Sequence, residues 1–410
     1  WNLSNGARVI VKHTDFKDDE ILFTAFAYGG SSMIDNQHIS EAKFINDFAP
    51  LGGLGAFSAS NLKKALAGKH IGVSTTLNSY SQAASGSSTI KDLESFMQLL
   101  YLNFTAVRAD ETAYKSFVDR MQNLLPHLAN NPEMVMTDSL MNAVYMGNPR
   151  MTIPTAEEIG KASYTKSLEI YRSYFANAAD FTFMFAGSVN PETLKPLVEQ
   201  YIASLPSKTD KPSKAFNAQA LPVRKGAYVN NFTRELEVPK ASIQIIYSGK
   251  LPYTLADHIQ LDALKQVLDM ELIDKIREEK GGTYGVQVKH SAEKLPEESF
   301  TIELKFDTDP NRRVELTDAI EALIAAIQQH GPQAEKLQKV KEYMLKQHTD
   351  NLKKNGYAIR NLHRYYNFGT DFETGYEKQV EGLTIDSLKA FAKKLFSQGN
   401  RIEVSMSSEE

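Results

Sequence analysis

The sequence predicts an α+β protein made of two tandem homologous units, and three observations lead there. The first is length: 410 residues, at about 100–200 per domain, make two to four domains. The second is the stretch PSKTDKPSKAFNAQALPVRKG (206–226), which mixes three prolines and five basic residues with one acid. Its few apolar residues keep no period, as in a linker. The third is a correspondence of local sequence: HIGVSTTLNSY (70–80) against TYGVQVKHSAE (283–293), and NAADFTFMFAGS (177–188) against SQGNRIEVSMSS (397–408). The expected organisation is one unit over 1–206, a linker over 207–226 and a second unit over 227–410.

The elements follow in order. Leu3-Ser4-Asn5-Gly6 leads into a first strand, and the alternating run 21–28 is a second. Helical stretches cover 39–48 and 61–66, and alternating segments cover 70–77 and 80–87. A long helix runs from Lys91 to about residue 104, with further helical segments to Ala176. The strand 181–189 precedes a helix capped at Asn190, with Pro191 in its first turn. In the second unit, 242–248 is a strand and 256–280 a helix. Residues 284–289 and 299–306 form a strand pair, a helix covers 312–329, more helices reach Phe396, and 401–405 is a final strand. Gly52-Gly53-Leu54-Gly55 reads as a flexible turn joining two helices.

Composition sets bounds on function. An apolar fraction of 42% with 23% charged residues excludes disordered and low-complexity classes. Net charge −4 and pI 6.2 leave no clustered basic excess for nucleic acid. There are no cysteines, which removes disulfides, thiolate zinc sites, iron–sulfur clusters and cysteine nucleophiles. No apolar run approaches the ~18–20 residues that span a bilayer, so no membrane partner is expected. A chain opening on Trp1 rather than Met reads as a piece of a longer polypeptide.

Metal and nucleophile motifs are missing. Of nine histidines the closest two are His348 and His363, so neither H-E-x-x-H nor H-x-x-E-H occurs. His38-Ile-Ser-Glu41 and His290-Ser-Ala-Glu293 are fragments without a second ligand. The glycine run lacks the Gly-Lys-Ser/Thr of a phosphate loop, and no G-x-S-x-G or S-x-x-K marks an activated serine.

One local constellation carries chemistry. The helix ending at Lys280 places Leu264, Leu268, Leu272 and Ile276 on one core face. Arg277 sits in its last turn, Gly281-Gly282 stops it, and Tyr284 opens a strand. A guanidinium and a phenol brought together suit a substrate carbonyl or a developing oxyanion. The same spacing also suits a helix-dipole cation and a packing tyrosine.

Arg277-Glu-Glu-Lys-Gly-Gly-Thr-Tyr284-Gly-Val resembles the R-x-x-x-x-x-x-Y signature in the C-terminal half of the pitrilysin/insulinase family of zinc metallopeptidases. The opening WNLSNGARVIVKHTDFKDDEILF and the segment LGGLGAFSASNLKKALAGKHIGVSTTLNSYSQAASGSSTIKDLESFMQLLYLNFT resemble that half too, especially in bacterial "zinc protease" members. The resemblance spans essentially the whole chain. It implies a processing-peptidase-like fold, each unit a mostly antiparallel sheet packed with helices. Family members join four such units into a clamshell around a peptide chamber, and this chain corresponds to the third and fourth. In the first unit of the family, H-x-x-E-H holds zinc and activates water. The equivalent stretch here is Lys43-Phe44-Ile45-Asn46-Asp47, and the downstream helix (about 112–128) lacks a glutamate, Glu111 standing at its edge. The resemblance therefore implies no metal and no catalytic residue in this chain, with zinc in an N-terminal catalytic half, on the same polypeptide or a separate subunit. It implies that Arg277 and Tyr284, spaced by the turn Gly281-Gly282, hold the carbonyl of a peptide substrate. A free-standing non-catalytic subunit or scaffold pairing with a zinc-bearing chain is the alternative. Bacterial relatives point to the periplasm or cell envelope.

Overall fold

A computed structural model describes residues 1–208, 220–279 and 285–409, the side chains of 277–279 excepted. The first half of the chain gives β1 (Arg8–His13), β2 (Ile21–Tyr28), α1 (Ile39–Phe48), α2 (Ala59–Ala65), β3 (Gly72–Leu77) and β4 (Ser81–Ser88). It continues through α3 (Leu93–Thr105), α4 (Glu111–Leu128), α5 (Pro132–Tyr145), α6 (Ala156–Lys161), α7 (Tyr164–Phe175), β5 (Thr182–Gly187) and α8 (Pro191–Leu197). The second half opens with β6 (Ala227–Arg234), β7 (Ala241–Lys250), α9 (Leu255–Leu272), β8 (Gln287–Glu293) and β9 (Ser299–Thr308). It ends with α10 (Arg313–His330), α11 (Ala334–Asn351), α12 (Asn355–Phe368), α13 (Tyr376–Glu381), α14 (Ile385–Phe396) and β10 (Asn400–Ser408).

Two five-stranded sheets result, in the orders β1-β5-β2-β4-β3 and β6-β10-β7-β9-β8. Position by position these are one topology. In each, the first strand pairs parallel with the last, and every other pairing is antiparallel. The duplication and the mostly antiparallel α+β architecture expected from the sequence are both present. The stretches aligned by sequence occupy cognate strands: β3 with β8, and β5 with β10.

The compact units are not the contiguous ones expected. One comprises 1–128, 154–220 and 351–369; the other comprises 129–153, 221–350 and 370–410. Helix α5 therefore lies with the second sheet and α12 with the first. The reason is legible in β5, whose six residues are all buried, so both faces of that strand need cover. Phe183 and Phe185 pack against Phe23 on one side, at ring centroids of 6.3 and 5.0 Å. Helix α12 covers the sheet with His363 and Phe368, which meet Phe26 edge-on at 4.7 and 5.7 Å. It is tied down by Asn355, which donates to Glu20 (2.9 Å) and accepts from Thr14, and by Arg8 donating to the Tyr366 carbonyl (2.9 Å). In the second unit Met136, Leu140 and Val144 of α5 form a buried apolar cluster with Ile402, Val404 and Met406 of β10.

The turn at Gly52–Gly55 is stitched rather than flexible. Gly55 donates to Ala106 (2.7 Å), Arg108 donates to Gly53 (3.1 Å), and Leu54 bridges Val107. A Cβ on Gly52 would stand 2.0 Å from the Arg108 carbonyl oxygen, and Gly53 has φ +85°, so both positions require glycine.

Candidate functional site

Helices α1 and α9 occupy cognate places, each following the second strand of its unit. In α1 the residues Glu41, Phe44, Ile45 and Phe48 are buried, at the i, i+3, i+4, i+7 spacing of a core face. Phe48 meets Tyr114 and Phe117 of α4 edge-on, at 5.2 and 5.9 Å. The stretch Lys43–Asp47 lies along this helix with Lys43 and Asn46 engaged in structural contacts. Lys43, 6% exposed, places Nζ 2.6 Å from Glu158 Oε1. The other Glu158 oxygen accepts from the Thr155 N–H (2.9 Å) and completes the capping box of α6. Asn46 accepts from the Leu77 N–H (2.8 Å) and donates to the Leu77 carbonyl (3.1 Å), closing the end of β3. Asp47 is exposed.

This donor set does not fit zinc. An ammonium saturated by a carboxylate offers no lone pair, and a carboxamide is no general base. Glu111 in the first turn of α4 is that helix's glutamate, and among the described residues no group of three or more His, Asp or Glu could hold a metal ion. The two H-x-x-E fragments are structural as well. Glu41 accepts from the Ser163 N–H (3.0 Å) with His38 3.5 Å away. His290 stands 3.9 Å from Asp262. Burial raises the Asp262 carboxyl and lowers the His290 imidazole, so both move toward their neutral forms.

Helix α9 starts at a Thr254 cap accepting from the Asp257 N–H (3.1 Å). Its buried row Leu264, Leu268, Leu272 and Ile276 is fully enclosed, each 0% exposed. At Ile273 the winding changes from α to π and stays so to Glu279. Arg277 belongs to this π-helical run, but its side chain lies outside the described residues, as do Gly281, Gly282 and Tyr284 altogether. The strand expected to open at Tyr284 begins at Gln287.

One polar group here escaped the sequence reading. Lys336, in the first turn of α11, lies 2.8 Å from Glu271 Oε2 and 2.6 Å from Asp274 Oδ2. The readable signal was a cation at a helix N-terminus, where the dipole opposes it.

Residues 161–344 match the family model of the peptidase M16 inactive domain. A zinc protease PQQL-like protein of Arabidopsis thaliana is 25% identical over 378 residues, covering 89% of this chain and 37% of the relative. The crystal structure of the periplasmic protease PqqL from Escherichia coli superposes with a TM-score of 0.84 at 19% identity, over 99% of this chain and 45% of that one. A peptidase M16 inactive domain from Pseudomonas fluorescens gives 0.80 at 16% identity, over 100% and 98%. The chain thus spans little more than a third of its curated relative.

Proposed function

We propose that this chain, a peptidase-related non-catalytic half homologous to the PqqL-like zinc proteases, encloses and positions peptides for a zinc endopeptidase. The observation that carries the reading is the state of α1. Where the resembled family holds its metal, Lys43 and Asn46 are spent on Glu158 and Leu77, so hydrolytic power must come from a catalytic half. Zinc belongs to that half, joined in the same polypeptide or supplied as a partner.

The contribution proposed for this chain is orientation and electrostatics. Arg277 and Tyr284 donate to the scissile carbonyl of a bound peptide, and the Gly281-Gly282 turn sets their separation. Donors aimed at a developing oxyanion are worth about 10²–10³ in rate. Fixing the peptide is worth several kcal/mol more, because a bound near-attack geometry has already lost its freedom. The periplasm is the proposed compartment, supported by the description of the Escherichia coli neighbour as a periplasmic protease.

A second reading places the two halves on two separate chains. On that reading the chain is a separate subunit or scaffold that pairs with a zinc-bearing chain. The test is reconstitution. The isolated chain should retain no stoichiometric zinc after dialysis against a weak chelator and cleave no peptide, and adding or fusing the zinc-bearing half should restore cleavage. Zinc retained by the isolated chain would overturn the proposal. Activity on adding the half as a separate protein would favour the two-subunit form.

A further inference from the structure

Strands β1 and β6 are cognate edge strands, each first in its sheet, and they differ in what meets the edge. In β1 the Arg8 N–H turns inward to the Phe181 carbonyl, so the backbone groups of Val9 face outward. There Val9 donates to the Trp1 carbonyl (2.8 Å) and accepts from the Trp1 nitrogen (2.7 Å). An extended segment thus lies antiparallel on β1, with a further bridge between Asn2 and Arg8, and Val9 is 1% exposed. In β6 the Arg401 and Glu409 N–H groups donate to Gly226 and Arg234, so the even-numbered residues face β10. The backbone groups of 227, 229, 231 and 233 point outward, and among the described residues none of them has a partner. Ala227-Tyr228-Val229 stands where unit one has Ala7-Arg8-Val9, yet Val229 is 51% exposed. The outward residues Ala227, Val229, Asn231 and Thr233 include no charge and no proline, the usual ways of blunting an edge.

The other face of β6 adds selectivity. Tyr228, Asn230 and Phe232 line a groove of about 300 Å³ with Asp138, Ser139 and Asn142 of α5. Asn230 donates to Ser139 (2.9 Å), and Asn142 donates to Asp138 Oδ2 (3.0 Å). Asp138 is the one charged residue of this lining, and its other oxygen has no partner among the described residues.

We infer that β6 binds an extended segment of a partner polypeptide as an added antiparallel strand, with a lysine or arginine of that segment seated over Asp138. Backbone bonds to Val229 and Asn231 supply the affinity, as Trp1 supplies them to Val9, and the groove reads every second side chain. The register follows from strand geometry. Residues opposite Val229 and Asn231 exchange both backbone bonds and turn their side chains away from α5. The residue between them, opposite Asn230, turns its side chain into the groove. A cation there meets an unbalanced carboxylate, and an anion is repelled. The inference does not depend on the roles proposed for Arg277 and Tyr284.

The experiment titrates this chain, alone and joined to a zinc-bearing half stripped of its metal, with the fluorescein-labelled peptide Thr-Val-Lys-Val-Thr. It reads anisotropy and amide hydrogen exchange. Exchange at Val229 and Asn231 should slow on binding. Val229→Pro removes one outward N–H and leaves the ladder to β10 intact, so it should weaken binding at least about 10-fold. Asp138→Asn should weaken the lysine peptide about 5-fold and strengthen a peptide with glutamate in its place. N-methylation of the two valines, whose N–H groups face β6, should abolish binding, and N-methylation of the lysine should spare it. Should Val229→Pro not fold, the methylated peptides carry the same comparison on the unaltered protein. Equal affinity for the lysine and glutamate peptides would overturn the inference, as would binding indifferent to Val229→Pro and to valine methylation. Val229 and Asn231 amides already protected without peptide would overturn it by placing a segment of this chain on the edge. A dimer that Val229→Pro dissociates would overturn it in favour of a second copy.

Discussion

Helices α1 and α9 stand at the same place in two sheets of identical strand order, yet they put their polar residues to different uses. In α1 two of the three polar groups at the resembled motif are engaged by the fold, Lys43 by Glu158 and Asn46 by Leu77, while Asp47 faces solvent. Beyond α1 the chain turns at glycines stitched onto residues 106–108. Helix α9 runs longer, changes winding after Leu272, and is tied across that change by Lys336. A duplicated scaffold preserves pairing and core because every strand depends on its neighbours. Chemistry rests on a few side chains whose replacements cost little once they find structural partners. At this place one unit commits Lys43 and Asn46 to structural contacts, while the other has a change of winding beside an ion pair on Lys336.

The largest expected effect tests that division directly. In the peptidase with both halves, Tyr284→Phe should lower kcat/KM by about 10–1,000-fold, equivalent to about 1.4–4 kcal/mol, the range for a lost oxyanion donor. Arg277→Ala should fall in the same range, and neither change should shift the thermal midpoint of the chain by much. Lys43→Met in α1 should do the reverse, sparing kcat/KM and lowering the midpoint. A rate loss in Lys43→Met equal to that of Tyr284→Phe would erase the distinction between the two helices.

Much of this was legible in the sequence because alternation and local similarity are local properties. The pairing of HIGVSTTLNSY with TYGVQVKHSAE identified β3 and β8 as cognates, and the row Leu264–Ile276 announced a core face that is indeed closed. Three features were not legible. Strand β6 carries paired asparagines, Asn230 and Asn231, at its centre, which strand propensity disfavours, and a proline-rich approach hid its start. The π-helical run has no signature in a buried row that continues at i+4 spacing. The trade of α5 and α12 between units could not be read at all, since an amphipathic helix declares that it will be covered but not by which sheet.

The two covering helices also sharpen the comparison through pH. His363 on α12 is packed between Phe26 and Phe368, and burial lowers its pKa to about 4. An unfolded histidine titrates near 6.5. Above that value neither state is protonated, and the first unit keeps its full stability. As pH falls from about 6.5 toward 4, the unfolded chain takes up a proton that the folded chain refuses, so stability declines. The loss should reach about 2–3 kcal/mol, allowing for partial exposure, and level off below the folded value. The second unit, whose cover is the apolar row Met136, Leu140 and Val144, should show no matching step from its covering helix. Unfolding followed between pH 7 and 4, with and without His363→Gln, measures the difference; an unchanged profile in the variant would remove His363 as its source.

The smaller effects lie within α1. Lys43→Met strands Glu158, which is 26% exposed and still bonded to Thr155, so the loss should be about 2 kcal/mol rather than the larger cost of a fully buried orphan. Asn46→Ala should cost less, about 1 kcal/mol, because its two hydrogen bonds end on the backbone at the tip of an edge strand, where water can replace them in part. Asn46→Asp separates the two bonds. It keeps the acceptor for the Leu77 N–H but offers the Leu77 carbonyl no donor, so its midpoint should fall between those of Asn46→Ala and the parent. A midpoint for Asn46→Ala equal to the parent's would mean that β3 ends well without the clasp. The asparagine at the resembled general-base position would then no longer be explained by the fold, and the claim that α1 has become structural would rest on Lys43 alone.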